Sequence, residues 1–257
     1  MIPKTIHYCW FGRGKKSELI LKCIDSWKKY CPEYEIIEWN EDNFDVDFCD
    51  YSHDAYQEKK WAFVSDIARL KVLYDNGGIY LDTDVELHSS LDNLLKYDAW
   101  FAQDDIRYIN TGLGFGAVKK NELIGVILSK RLRRKYDMVI CNAVDTPIIR
   151  EYLGCKQSRD SQCIRNTYII GMNEYSKYAK HWEGNSWKNE DDRLFQNQRR
   201  NRFWKLKCWL RNPNLINWLE RNGETALSKT YIFFVYDFLD NGIFYFIKRM
   251  WSKLMKK

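Results

Sequence analysis

Along residues 4–9, Lys4-Thr-Ile-His-Tyr-Cys9, the side chains alternate and are rich in β-formers, which predicts a first strand. A glycine-bearing loop follows, Trp10-Phe-Gly-Arg-Gly14. The apolar period then changes: Leu19, Ile20, Cys23, Ile24 and Trp27 fall on one face of a helix that Ser17 is placed to cap. That helix runs to Tyr30, and Pro32 ends it. Residues 34–39 return to a strand. A β–α–β opening of this kind predicts a parallel strand pair in an α/β fold.

Residues 41–54 are acidic and turn-rich, and 56–76 read as one helix with Phe63, Ile67, Leu70 and Tyr74 at the spacing of a buried stripe. Gly77-Gly78 stops it, at a position where positive φ is often required. Ile79-Tyr-Leu81 is a short strand, followed by Asp82-Thr-Asp84 and Val85-Glu-Leu87. Residues 99–102 and 113–118 are predicted strands, 122–134 a helix, and 135–190 a mixed region. From Asp191 onward the pattern is helical, with a break near Asn212-Pro213-Asn214. There is no internal repeat.

Composition narrows the class. At 257 residues the chain makes one to two domains, and 45% hydrophobic with 30% charged residues, 4 Pro and 13 Gly excludes collagen-like and disordered chains. The aromatic fraction, 16%, fits a thick core or a surface that meets sugars or lipid headgroups. No run of ~18 uncharged apolar residues occurs, and the N-terminus lacks an apolar signal-peptide core, so the expectation is a cytoplasmic protein. Eight cysteines without a C-x-x-C pair read as reduced thiols, with Cys9 and Cys31 acting as small hydrophobes. Charge is uneven: residues 193–257 hold 14 Lys and Arg against 4 Asp and Glu, whereas the preceding 192 residues are net acidic.

Candidate chemistry concentrates around the strand 79–81. Asp82-Thr-Asp84 follows it, and the strand period of two projects both carboxylates to one side at the strand's C-terminal end, where ligands gather in open α/β sheets. Paired hard oxygen ligands suit Mn²⁺ or Mg²⁺. An isolated D-x-D is usually a solvated turn; this one stands behind a helix, Gly-Gly and an apolar strand. In Phe63-Val-Ser-Asp-Ile-Ala-Arg69, Ser65, Asp66 and Arg69 share a face opposite the Phe63, Ile67 and Leu70 stripe. A surface ion pair on an amphipathic helix would look the same. What argues for function is that this helix leads directly into the D-x-D strand, where a carboxylate and a guanidinium can hold sugar hydroxyls and a diphosphate. The glycines of Asn110-Thr-Gly-Leu-Gly-Phe-Gly116 either let backbone approach a sugar or serve a tight strand turn. Asp104, Asp105 and Asn110 are candidates for the acceptor side or the anomeric face.

Three blocks taken in order resemble glycosyltransferase family 32: Ile2-Pro-Lys-Thr-Ile-His-Tyr-Cys-Trp-Phe-Gly12, Ala62-Phe-Val-Ser-Asp-Ile-Ala-Arg69 and Leu73-Tyr-Asp-Asn-Gly-Gly-Ile-Tyr-Leu-Asp-Thr-Asp84. The likeness covers roughly residues 1–120 and resumes at Ala179-Lys-His-Trp-Glu-Gly-Asn-Ser-Trp187, similar to the family's His-x-x-x-Ser-Trp ending with one extra residue before Ser186. The resemblance implies a GT-A type nucleotide-sugar-binding fold, a Rossmann-like mixed sheet flanked by helices, over residues 1–190. It also implies retaining transfer from a nucleotide-sugar (UDP-hexose favoured, GDP-mannose possible) with Mn²⁺ or Mg²⁺. By motif position, Ile6, His7 and Trp10 would line the nucleobase pocket. Ser65 and Asp66 would meet ribose or sugar, Arg69 the sugar and phosphates, and Asp82 the ribose and metal. Asp84 would bind the metal directly, with His181 a second ligand or a diphosphate contact; the bland alternative for His181 is a packed side chain. Ser186 and Trp187 would donate hydrogen bonds to the β-phosphate.

Residues 191–257 are expected to form a basic, aromatic helical C-terminal extension. Segments 199–211 and 243–257 interleave cations with large aromatics, a pattern that suits an anionic membrane surface. A helical cap with a solvated basic face is the alternative, and no nucleic-acid module is recognisable. The combined expectation is a peripheral enzyme at the inner face of the plasma membrane, extending a lipid-linked glycan of a capsular, exopolysaccharide or O-antigen precursor. A catalytically silent nucleotide- or glycan-binding protein is the competing class.

Overall fold

The computed structural model describes residues 1–103, 108–136 and 139–182. Strand β1 (Thr5–Cys9) pairs in parallel with β2 (Glu35–Trp39), register Thr5 to Glu35. The connecting helix α1 (Glu18–Tyr30) begins where the Ser17 hydroxyl accepts from the Ile20 amide, as expected of a serine cap. Two helices follow, α2 (Asp50–Gln57) and α3 (Trp61–Asn76), in place of the single predicted helix. The break has a local cause: Lys59 adopts φ +56°, and the Lys60 amide turns back to the Ala55 carbonyl.

Gly77 and Gly78 end α3 and start β3 (Gly78–Tyr80) with φ of +71° and +101°. A Cβ on Gly78 would stand 2.8 Å from both His7 Nε2 and the Thr5 carbonyl, so β3 can lie against β1 only with glycine there. The chain leaves β3 through Asp82 and Asp84 into β4 (Val85–Leu87). A 3₁₀ turn (Asp92–Leu94), β5 (Ala99–Ala102), β6 (Phe115–Ala117), α4 (Glu122–Leu132) and α5 (Cys141–Leu153) come next. Then come β7 (Gln162–Ile164), β8 (Thr167–Ile170), the single turn α6 (Met172–Tyr175) and β9 (Ala179–His181). The turn joining β7 and β8 places Arg165 and Asn166 at φ +48° and +56°, a two-residue hairpin without the glycine that usually announces one.

Seven strands form one mixed sheet in the order β2-β1-β3-β6-β5-β8-β7, with β6 and β7 running against the others. Strands β4 and β9 form a separate antiparallel pair. Period-two alternation divides the core between the sheet's faces. Cys9, Tyr80 and Phe101 face the cluster beneath α3, α4 and α5, whereas Tyr8, Ile79 and Trp100 face the cluster with Trp27 of α1. All seven described cysteines are free. Asp104, Asp105, Ser186, Trp187 and the 191–257 extension lie outside the described residues.

Candidate functional site

Helix α3 is not an amphipathic surface helix, the alternative that its spacing left open. Val64, Ala68, Asp66 and Arg69 are buried along with the Phe63, Ile67 and Leu70 stripe. The reason is position: α2 and α4 flank α3, while β1 and β3 lie under it. Arg69 is therefore a buried cation, 3% exposed, and its guanidinium must be paired. Nη2 lies 3.0 Å from Asp66 Oδ1 and 3.2 Å from Asp82 Oδ1, while Nε donates to the Ser65 carbonyl. The Tyr80 ring lies below the guanidinium at 4.9 Å, and its hydroxyl donates to Asp82. Burial works against this cation, but Asp82, Tyr80 and Asp66 outweigh it and hold its pKa well above the ordinary value. Nη1 is different: it is buried and has no hydrogen-bond partner among the described residues.

Gly112 explains the space beside that nitrogen. A Cβ there would stand 2.6 Å from Asp82 Oδ2, 3.0 Å from Arg69 Nη1 and 3.2 Å from Asn110 Oδ1. Glycine thus lets three polar groups converge on one spot. Asn110 holds the local turn by accepting from the amides of Gly112 and Leu113, and Asp82 donates its own amide to the Gly112 carbonyl. Gly112 thus stands both in a turn and against three polar side chains of its own chain.

The D-x-D corner gains a third member from far along the chain. Pairing of β4 with β9 sets His181 opposite Val85, and His181 Nε2 then lies 3.2 Å from Asp84 Oδ1. One ligand atom from each of Asp82, Asp84 and His181 lies within 4.8 Å of the others. Two carboxylates and an imidazole, each partly exposed, form a donor set that fits a divalent cation. Although 28% of the Asp82 side chain is exposed, burial of its carboxylate pushes its pKa up to about 6; Arg69 opposes the rise and Asp84 adds to it.

Two residues assigned to the nucleobase pocket have buried side chains. Ile6 is fully buried in the core on the α1 side. His7 is 1% exposed, accepts from Trp39 Nε1 at Nδ1, and meets the Gly77 carbonyl with Nε2. An indole can only donate, so Nε2 carries the proton. Burial pushes the His7 pKa down to about 4, with the Gly77 hydrogen bond opposing it, and the neutral ring serves as a structural link between strands. Trp10 stays half-exposed in the loop after β1, its indole tied to the Gly14 carbonyl with Lys16 5.4 Å from the ring centre. The Ser65 hydroxyl donates to the Trp61 carbonyl.

A cavity of about 840 Å³, lined by Ser89, Arg159, Ser161, Glu174 and Lys177 among others, contains none of these residues. Convergent charge, not volume, marks the candidate site. Residues 17–102 match the family described as glycosyltransferase sugar-binding region containing DXD motif. The matched region is similar to glycosyltransferase family 32. Inositol phosphoceramide mannosyltransferase 3 of Schizosaccharomyces pombe is 35% identical over 107 residues, 38% of this chain and 29% of that protein. Inositol phosphoceramide mannosyltransferase 2 of the same yeast is 29% identical over 214 residues, 74% of this chain and 59% of that protein. The chain thus spans less than two thirds of either relative. The solved PaToxG glycosyltransferase superposes with a TM-score of 0.50 at 20% identity, over 60% of this chain and 70% of that one. That likeness speaks for the fold, which is GT-A. Sequence reasoning missed Tyr80, Arg131 and Asp145, and gave Thr111 no role. Arg131 carried no signal, since a cation in the last turn of a helix is commonplace.

Proposed function

We propose that this chain is a metal-dependent, retaining glycosyltransferase that moves a hexose from a nucleotide-diphosphate sugar to a glycan acceptor carried on a lipid. The supporting observation is the meeting of the Asp82, Asp84 and His181 cluster with the unpartnered Arg69 Nη1 at one corner beside Gly112. Asp82, Asp84 and His181 would hold a divalent cation, which supplies positive charge where the leaving diphosphate develops negative charge. Arg69 contributes a fixed guanidinium in the same place, anchored by Asp66 so that little reorganisation accompanies the reaction. In the transfer the anomeric C–O bond to the β-phosphate breaks and a C–O bond to the acceptor hydroxyl forms on the same face. The acceptor proton passes to the leaving phosphate oxygen, so no enzymic nucleophile is required.

The curated relatives are named for mannosyl transfer to a lipid, inositol phosphoceramide. Those names bring GDP-mannose forward beside the UDP-hexoses and favour a lipid-borne acceptor. No helix among the described residues is long and apolar enough to cross a membrane. Association with an anionic membrane surface therefore rests on the basic aromatic stretches of 199–211 and 243–257. The test is a thermal-shift and nucleotide-release screen of UDP-glucose, UDP-galactose and GDP-mannose, with and without Mn²⁺. One donor is expected to raise Tm and release its nucleotide only with the metal present. Asp84→Asn should lose both responses while melting near the wild-type temperature without ligand. A wild-type protein that binds none of the donors, or turns one over equally well in EDTA, overturns the reading.

A further inference from the structure

Behind the donor corner a row of charge continues through two buried residues that the transfer chemistry above does not use. Arg131 of α4 and Asp145 of α5 both have fully buried side chains. Arg131 Nε lies 3.7 Å from Asp145 Oδ1, and Arg131 Nη2 lies 3.4 Å from Asp66 Oδ2. Asp66 Oδ1 then meets Arg69, and Arg69 meets Asp82. Five charges alternate from the back of α5 to the D-x-D strand.

Stability does not account for this row. Desolvating an ion costs several kcal/mol, and only excellent geometry recovers it. The geometry here is poor: Nε, Nη1 and Nη2 of Arg131 and Oδ1 of Asp145 lack hydrogen-bond partners among the described residues. The Tyr51 ring lies 5.4 Å from the guanidinium. Apolar residues of similar volume would serve the core as well or better.

What Arg131 does change is the choice open to Asp66. An isolated Arg–carboxylate pair tends to close as a two-pronged fork, both guanidinium nitrogens on both oxygens. Arg131 Nη2 stands 3.4 Å from Oδ2 without a hydrogen bond, and its charge disfavours a second guanidinium at that oxygen; Arg69 meets Oδ1. Arg69 is thereby held through Nη2, and Nη1 stays turned toward the spot beside Gly112. Helix α5 fixes the other wall of that spot. Thr111 donates to Asp145 Oδ2 at 2.8 Å, while Thr146 Oγ1 accepts from the Ile109 amide and donates to its carbonyl. Gly112 follows directly.

We propose that Arg131, backed by Asp145, is a positioning residue that keeps Arg69 from closing on Asp66 and so presents Arg69 Nη1 to the phosphates or sugar of the donor. This rests on the donor-site reading given above. The decisive variant is Arg131→Met with Asp145→Leu, which removes both charges at similar volume. It should melt at or above the wild-type temperature, yet turn over the donor found in the screen roughly 10–100-fold more slowly. Its KM should change far less than kcat, because a contact that matters mainly in the transition state has been lost. A crystal structure of the variant should show both Arg69 terminal nitrogens on Asp66. A folded double variant with wild-type kcat overturns the proposal and leaves the donor site standing, whereas a wild type that binds no donor overturns both. Should the double variant not fold, Arg131→Gln assayed well below its own Tm decides. A tenfold or greater fall in turnover per folded molecule supports the proposal, and unchanged turnover overturns it.

Discussion

Helix α3 carries two ion pairs at helical spacing, and they differ in nearly everything except sequence pattern. Asp66 and Arg69, at i,i+3, have side chains 8% and 4% exposed; Lys71 and Asp75, at i,i+4, are 39% and 32% exposed. The inner pair is locked between Asp82 on one side and Arg131 on the other. The outer pair shares Asp75 with Lys120 at the solvent boundary. In water such pairs are worth little, because screening and side-chain entropy offset the attraction. Under the sheet the same charges are strongly coupled, and removal of either one strands its partner. Spacing along a helix therefore says which residues meet, and burial alone decides whether the meeting matters.

The comparison can be broken most sharply at Arg69. Arg69→Met should cost about 3–5 kcal/mol in denaturant unfolding and abolish turnover, since two carboxylates lose their cation. Arg69→Lys should recover much of the stability and little of the turnover, because the planar fork is gone.

Next in size is a pH effect from Asp145, whose pKa burial pushes up to about 6 against the pull of Arg131 and Thr111. A carboxyl with a raised folded pKa binds more protons folded than unfolded, so its contribution to stability falls as pH rises from about 4 to about 6. Wild-type stability measured relative to Asp145→Asn should thus decline across that window by about 2–3 kcal/mol, each pKa unit being worth about 1.4 kcal/mol. A flat difference between the two melting profiles would place the charge of Asp145 elsewhere.

Gly112→Ala should cost about 1–3 kcal/mol, the usual range for overpacking. It should also remove the donor-induced rise in Tm, since the added methyl occupies the space between Asp82 and Arg69. Smallest of all, Lys71→Ala should change stability by less than about 1 kcal/mol, and less still at high salt, with turnover as in wild type. A larger effect there would erase the contrast between the two pairs.

Much of the site was legible before any coordinates because its parts are local. Asp82 and Asp84 need only the two-residue strand period, Asp66 and Arg69 only the helical one, and Gly77-Gly78 only the steric rule against positive φ. Harder to read were features whose signals are generic. The α2–α3 break depends on a lysine in a left-handed conformation, and the β7–β8 hairpin turns on Arg165-Asn166 without glycine. Ile6 and His7 carry family positions yet point into the core, because alternate residues of a central strand are covered on both faces.

By itself, then, the sequence determined most of the strands and helices up to residue 134, the D-x-D corner and the charged pairs of α3, all of which arise from interactions among residues a few positions apart. The family resemblance had named His181 as a ligand beside Asp84, but only the tertiary structure decided that it arrives through the β4–β9 pair, that Arg131 stands behind Asp66, and that Gly112 opens the space beside Arg69. Those meetings depend on strand order and on the dry interior it creates. Neither has a local code, since burial is a property of what the rest of the chain places on top.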